Sequence, residues 1–120
     1  MNKRLKIGIT HGDINGISYE IIIKTLSEPQ LLEMCTPIVY GSPKVFAFYK
    51  KMFDIGNAHV VPIDSPAAAH QGKAYIINCC GEDIKIETGK QSLEAGALAL
   101  DALNAASNDL AAGNIDALVT

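Results

Sequence analysis

The sequence has no tryptophan and no hydrophobic run that approaches the ~18 apolar residues of a transmembrane helix. We therefore predict no membrane span. The N-terminus reads Met-Asn-Lys-Arg-Leu-Lys and leads directly into a short apolar strand, without the hydrophobic region of a signal peptide. These two features predict a cytoplasmic protein.

Cysteine and histidine are scarce, and their spacing fits neither a disulfide framework nor a metal site. The cysteines are Cys35, Cys79 and Cys80. An odd number with two adjacent members is a poor basis for disulfides, so we expect reduced, buried thiols. The histidines are His11, His59 and His70. Neither a Cys-x-x-Cys pair nor a ligand spacing of histidines is present, so no metal site is predicted from this chain alone.

Basic residues show no clustering of the kind that binds nucleic acid. The net charge is −3, and Lys50-Lys51 is the one adjacent basic pair inside the body of the chain, where a solvated helix face explains it. With 120 residues, 48% hydrophobic and 19% charged, the composition is that of a soluble globular protein. This length allows one compact domain or part of one.

Strands and helices alternate along the sequence. Strands are predicted over residues 6–10, 36–40, 59–63, 74–79 and 117–120, with a further strand over 84–87 after a turn at 81–83 and a loop over 67–72. Helices are predicted over residues 19–26, 29–34, 45–53 and 92–112. In the last helix, one broad apolar stripe is formed by Leu93, Ala97, Leu100, Leu103, Ala106 and Leu110. This order predicts an α/β fold with a mostly parallel sheet and right-handed crossovers.

The most informative segment joins the first strand to the first helix. Residues 7–20 read Ile-Gly-Ile-Thr-His-Gly-Asp-Ile-Asn-Gly-Ile-Ser-Tyr-Glu. Gly12 and Gly16 lack a Cβ atom, so the backbone there can adopt positive φ and approach a ligand closely. The first N–H groups of the following helix face the same place. From spacing alone, a plain turn in which Asp13 bonds its own backbone two residues on is favoured.

This segment resembles the Gly-Asp-Pro-Ala-Gly-Ile-Gly-Pro-Glu signature of the 4-hydroxythreonine-4-phosphate dehydrogenase family. A second match is Gly89-Lys90-Gln91-Ser92 with the Ala/Leu-rich helix and the final strand, which resemble the stretch that leads into the family's Ala-Pro-(Ile/Leu)-Asn-Lys segment. The resemblance implies an isocitrate/isopropylmalate dehydrogenase-like fold, with helices on both faces of the sheet. It further implies that residues 1–120 are the N-terminal α/β portion of a two-domain enzyme, truncated before its active-site segments.

The resemblance also implies a role for the Gly-Asp turn. In this superfamily the equivalent loop lies near the dinucleotide, so Gly12, Asp13, Asn15 and Gly16 become candidate cofactor-binding residues. No catalytic residue and no metal ligand can be carried over onto this chain. Two pairs depart from the signature: Ile14-Asn15 replaces Pro-Ala, and Ser18-Tyr19 replaces Gly-Pro. We expect Ser18 to cap the helix in place of the lost proline.

Four other polar residues are interpreted as structural or as indirect support of the site. His11 follows the first strand at the edge where α/β sites form, but a satisfied structural histidine is favoured there two to one over a functional one. Thr120, at the end of the last strand, is expected to be structural or to support the site indirectly, as is Thr10. Ser92, with Glu94 behind it, is predicted to be a helix N-cap rather than a nucleophile.

The activity implied by the resemblance is oxidation of 4-phosphooxy-L-threonine by NAD, with NADP as the alternative, to a β-keto acid in pyridoxal phosphate biosynthesis. A divalent metal (Zn, Mg or Co), bound by residues beyond this chain, and a homodimer are implied as well. Three alternatives remain open: a dehydrogenase of erythronate or threonate phosphate, a phosphate acyltransferase of the same fold, and a non-catalytic binding module. The 120 residues alone are predicted to be inactive.

Overall fold

The strands of this chain pair in parallel to form a β-sheet. The structure is a computed structural model that describes residues 5–54, 58–70, 72–81 and 84–120. Its sheet has five parallel strands in the order β3-β4-β2-β1-β5. The strands are β1 (Leu5–Thr10), β2 (Cys35–Gly41), β3 (Val60–Ile63), β4 (Ala74–Asn78) and β5 (Ala117–Val119). The helices are α1 (Ser18–Leu26), α2 (Pro29–Met34), α3 (Pro43–Phe53) and α4 (Leu93–Ala111), with a short 3-10 turn at Pro66–Ala68.

Each face of the sheet carries its own apolar core. Successive side chains of a strand point to opposite faces, so Val39 of β2 packs with α1 and α3, whereas its neighbours Ile38 and Tyr40 pack with α4. The first core is centred on Tyr19, Ile23 and the residues of α3, and the second contains Ala102 and Ala106 of α4. The predicted α/β class with helices on both faces is confirmed.

Local signals fix the helix ends. Ser42 caps α3 by accepting a hydrogen bond from the N–H of Val45 at 3.3 Å, and Pro43 occupies the first turn, where its missing N–H costs nothing. Ser92 caps α4 by accepting from the N–H of Ala95 at 3.0 Å, as predicted. The prediction for Ser18 was wrong: Ile17 is the cap residue of α1, no side chain caps that helix, and Ser18 is its first helical residue.

Two further expectations about secondary structure need correction. Residues 84–87 are not a strand, because that segment packs against the turn after β1 instead of pairing with the sheet. The loop expected over 67–72 contains the end of the 3-10 turn at Pro66–Ala68. Residue 71 of that loop, and residues 82 and 83 of the turn expected over 81–83, lie outside the described residues.

The cysteines are free, as expected, but half-buried rather than fully buried. Burial raises the pKa of the Cys79 thiol to about 12 and that of Cys80 to about 11. Within the described part of the chain, no helix combines the length and the apolar character that a membrane crossing requires.

The apolar stripe expected on α4 is divided between two faces. The residues that contact the sheet are small: Ala95, Ala102 and Ala106 are buried. The leucines of that stripe point away from the sheet and are exposed. Periodicity of apolar residues does not distinguish alanine from leucine, so it could not predict which face packs on the sheet.

Candidate functional site

The Gly-Asp turn lies at the carboxyl edge of the sheet, directly after β1. The backbone N–H of His11 continues the pairing of β1 with β2 by donating to the carbonyl of Tyr40 at 3.0 Å. The chain then leaves the sheet and enters α1. Carboxyl ends of parallel strands are where α/β proteins bind ligands, so the turn occupies a position suited to a functional site.

Only one of the two glycines needs to be glycine for conformational reasons. Gly12 has φ of +66°, and a Cβ atom there would lie 2.9 Å from the hydroxyl oxygen of Ser18. Gly16 is not among the described residues with positive φ, and a Cβ there would meet its nearest neighbours at 3.6 Å, an ordinary contact. The expectation of positive φ at Gly16 was therefore wrong, while that for Gly12 is confirmed.

Asp13 forms the local turn that the spacing predicted. Its side-chain oxygen Oδ1 accepts a hydrogen bond from the N–H of Asn15 at 2.9 Å, and its carbonyl accepts from the N–H of Gly16 at 3.1 Å. The residue is nevertheless exposed. The carboxylate thus shapes the turn and remains accessible to a ligand.

Asn15 is buried and joins the turn to a distant segment. Its Oδ1 accepts from the N–H of Glu87 at 2.7 Å, and its carbonyl accepts from the N–H of Gly89 at 2.6 Å. Its Nδ2 lies 3.5 Å from the hydroxyl oxygen of Ser92, the N-cap of α4. These bonds dock residues 87–92 against the turn. The sequence showed a polar residue in the turn, but no local signal could reveal partners more than seventy positions away.

Half-buried Glu87 of the docked segment is paired with two exposed lysines. Glu87 forms ion pairs with Lys90 at 2.8 Å and with Lys85 at 3.3 Å. Hydrogen bonds from these two lysines lower the pKa of the Glu87 carboxyl. Because the pairs are exposed to water, they contribute little to stability.

His11 is a structural residue. Its ring is fully buried, with Nε2 3.1 Å from the carbonyl of Leu98 and Nδ1 2.7 Å from the hydroxyl of Tyr19. A carbonyl can only accept, so Nε2 carries the proton and Nδ1 accepts from the tyrosine. The tyrosine hydroxyl in turn accepts from the N–H of Ser42 at 3.1 Å. Burial lowers the pKa of His11, which keeps the ring neutral.

An apolar cavity of about 450 Å³ opens beside the turn, between α1 and the part of the sheet formed by β1 and β5. Ile7, Ile9 and Val119 line its floor, and Ile21 lies on the helix side. Thr10 at the end of β1 and Thr120 after β5 border it, together with Gly12 of the turn and Ser18, the first residue of α1. The cavity therefore meets the candidate site along the edge of the sheet.

The turn offers three features that a bound ligand could use. Gly12 permits close approach of a ligand to the backbone, the first turn of α1 has no side-chain cap on its N–H groups, and the exposed carboxylate of Asp13 can accept hydrogen bonds from hydroxyls. No group of three His, Cys, Asp or Glu residues that could hold a metal ion occurs in residues 5–54, 58–70, 72–81 and 84–120.

The fold and the site together define the class: a parallel α/β protein with a Gly-Asp turn at the ligand-binding edge of its sheet. Comparison of sequences then identifies the family. The chain belongs to the family of the pyridoxal phosphate biosynthetic protein PdxA, whose family model matches residues 33–120.

Similar proteins cover the Gly-Asp turn as well. A 4-hydroxythreonine-4-phosphate dehydrogenase of Bacteroides thetaiotaomicron is 44% identical over 117 residues, which are 98% of this chain and 32% of that protein. A Clostridium botulinum protein, provisionally named D-threonate 4-phosphate dehydrogenase, is 30% identical over 100% of this chain and 36% of its own length.

A solved structure supports the same assignment. The crystal structure of a 4-hydroxythreonine-4-phosphate dehydrogenase from Burkholderia phymatum superposes with a TM-score of 0.83 at 27% identity, over 98% of this chain and 36% of that one. The chain thus spans about a third of the length of the relatives that it matches. Both the predicted family and the predicted fold are confirmed.

Proposed function

We propose that these residues form the N-terminal part of an NAD-dependent dehydrogenase that oxidises the hydroxyl of 4-phosphooxy-L-threonine in pyridoxal 5′-phosphate biosynthesis. The observation that carries this proposal is the 44% identity to the Bacteroides thetaiotaomicron enzyme over 98% of the chain. Oxidation of the hydroxyl gives a β-keto acid, which loses carbon dioxide readily. The proposal includes a cytoplasmic location.

The Gly-Asp turn is assigned to the cofactor. Asp13 is proposed to accept hydrogen bonds from cofactor hydroxyls, since its carboxylate is exposed at the edge of the sheet. Gly12 and Gly16 leave the backbone open to the ligand. Asn15 belongs to this group as the residue that fixes the turn, because its side chain is buried and bonded to residues 87–92.

A divalent metal and a homodimer complete the proposal. A metal would polarise the substrate oxygen as hydride leaves for the nicotinamide. Its ligands are proposed to come from family segments that have no counterpart in residues 1–120, and the 120 residues alone are therefore proposed to be inactive. Substrate binding through the phosphate is assigned to those segments too.

A second substrate has support of its own. The Clostridium botulinum relative, with its provisional name of D-threonate 4-phosphate dehydrogenase, matches the entire chain at 30% identity. D-Threonate 4-phosphate has a hydroxyl where 4-phosphooxy-L-threonine has an amino group. We rank it second because the identity is lower, and the same turn would serve NAD in either enzyme.

The experiment compares kcat/KM of the native-length protein for the two phosphorylated substrates, following NADH formation with added divalent metal. We expect a clear preference for 4-phosphooxy-L-threonine and loss of turnover with a chelator. Preference for D-threonate 4-phosphate would replace the proposed substrate with the second one. Acyl transfer to or from phosphate, without any NADH, would assign the protein to the phosphate acyltransferases of the same fold, and binding without turnover would indicate a non-catalytic module.

A further inference from the structure

A tyrosine of α3 reaches the Gly-Asp turn from inside the protein. Tyr49 is completely buried, and its hydroxyl donates a hydrogen bond to the carbonyl of Ile14, in the middle of the turn and thirty-five positions away in sequence. Ile14 is itself only 1% exposed. Both partners belong to the first core, so this contact forms without any further segment or partner.

Aromatic neighbours hold the ring of Tyr49 in place. The ring stacks on that of Tyr19, with centroids 5.6 Å apart and planes inclined by 14°. It also stacks on the ring of Phe53, with centroids 5.7 Å apart and planes inclined by 13°. A ring that packs on two others in a close-packed core has little freedom to move, so the position of the Tyr49 hydroxyl is fixed.

The carbonyl of Ile14 and the N–H of Asn15 belong to one peptide group. Peptide groups are planar and almost always trans, so the C=O and the N–H point in opposite directions. Tyr49 donates to this C=O, and the N–H donates to Oδ1 of Asp13 at 2.9 Å. One rigid group therefore connects the buried hydroxyl to the exposed carboxylate.

The N–H of Asn15 is what orients the carboxylate of Asp13. The carbonyl of Asp13 is held separately, by the N–H of Gly16 at 3.1 Å. A hydrogen bond accepted by the C=O of a peptide group polarises its N–H, which strengthens the bond that this N–H donates. A binding side chain is effective when neighbouring groups hold it in the geometry that the ligand requires.

We propose that Tyr49 is a positioning residue for the cofactor. Its hydroxyl fixes the peptide group between Ile14 and Asn15, and this group holds the carboxylate of Asp13 in the orientation that receives the cofactor hydroxyls. The inference rests on the proposed function, because it takes Asp13 as the cofactor-binding carboxylate. The Tyr49 hydroxyl also satisfies a buried carbonyl, as a buried polar group requires, so the experiment has to separate positioning from stability.

Tyr49→Phe removes the hydroxyl and keeps the stacked ring. In the native-length protein it should raise KM for NAD by roughly threefold to tenfold, the equivalent of one ordinary hydrogen bond, and leave kcat unchanged. Tyr75→Phe is the matched control. Tyr75 is a buried tyrosine of β4 in the second core, and its hydroxyl accepts from the N–H of His70 at 2.9 Å. Losing that bond, away from the turn, should change neither constant.

A double-mutant cycle tests whether Tyr49 acts through Asp13. In the Asp13→Ala background, Tyr49→Phe should cause no further loss of kcat/KM for NAD, because the carboxylate that Tyr49 orients is then absent. Two residues that act independently would instead give losses that multiply. A purely structural role of the hydroxyl would also give multiplying losses.

The outcomes distinguish this inference from the proposed function. An unchanged KM for folded Tyr49→Phe, an equal rise for Tyr75→Phe, or multiplying losses in the cycle would each overturn the inference alone. A Tyr49→Phe protein that is unfolded by circular dichroism would overturn it too, since the hydroxyl would then serve stability. Failure of the unsubstituted protein to form NADH would overturn the proposed function and this inference with it.

Discussion

At the scale of single residues, two neighbouring polar residues of the turn after β1 have different roles in the structure. Asp13 and Asn15 are both polar and two positions apart, yet one is exposed and the other is buried. The exposed carboxylate can meet a ligand, while the buried amide is engaged within the protein. Changes at the two positions should therefore have different consequences.

Asp13→Ala in the native-length protein should raise KM for NAD strongly and lower stability only slightly. The loss of its bond to the N–H of Asn15 should cost about 1 kcal/mol, the usual net value of one hydrogen bond. Asp13→Asn is the matched control, because it keeps an oxygen acceptor for the turn but removes the charge. KM for NAD and the urea midpoint are measured for both variants. A large drop in stability with normal kinetics would show that the residue is purely structural.

His11 should make stability sensitive to pH in one direction. Burial lowers its folded pKa below the ordinary value of 6.5, so the unfolded chain binds the proton first as the pH falls. The contribution of neutral His11 to the free energy of unfolding is therefore complete above pH 6.5 and is lost progressively as the pH falls below that value. His11→Gln keeps a donor and an acceptor but does not titrate. The free energy of unfolding is measured by urea titration at pH values above and below the ordinary histidine pKa. It should decrease more steeply toward acid pH in the unsubstituted protein than in His11→Gln. An equal decrease in the two proteins would contradict this prediction.

At the scale of elements, the turn and residues 87–92 behave as one unit. Asn15 provides the connection, and Ser92 at the end of this segment begins α4. The segment between β4 and α4 thus derives its position from a residue near the start of the chain.

Asn15→Ala should loosen this unit. Removing the acceptor of the Glu87 N–H leaves a partly buried donor without a partner, which costs roughly 1–3 kcal/mol. Asn78→Ala is a matched control, since exposed Asn78 accepts a comparable but local bond from the N–H of Cys80 at 3.0 Å. Hydrogen exchange at the Glu87 amide and urea unfolding are measured. If Asn15→Ala and Asn78→Ala change hydrogen exchange and urea unfolding to a similar extent, the bonds of Asn15 to residues 87–92 stabilise the protein no more than an exposed local bond does.

At the scale of the whole molecule, the sequence predicted the elements and their parallel arrangement better than their contacts. The order of strands and helices could be predicted from the sequence, because it follows from the hydrophobic period and from local residues such as Pro43 and Ser92. The position of the Gly-Asp turn at the edge of the sheet could be predicted for the same reason. The bonds of Asn15 and the outward leucines of α4 were not, because they depend on packing between segments that are distant in sequence.

Residues 1–120 expressed by themselves should be marginally stable or prone to aggregate. The cavity beside α1 leaves Ile7 and Ile9 of the sheet incompletely covered, and the edge strand β5 has exposed Val119. Parallel sheets are stable when both faces are covered, and exposed edge strands promote association. The exposed leucines of α4 add a third apolar surface. Light scattering at several concentrations should reveal polydisperse species, and urea unfolding should show a broad transition. A single monodisperse species that unfolds cooperatively would show instead that these residues are an autonomous domain.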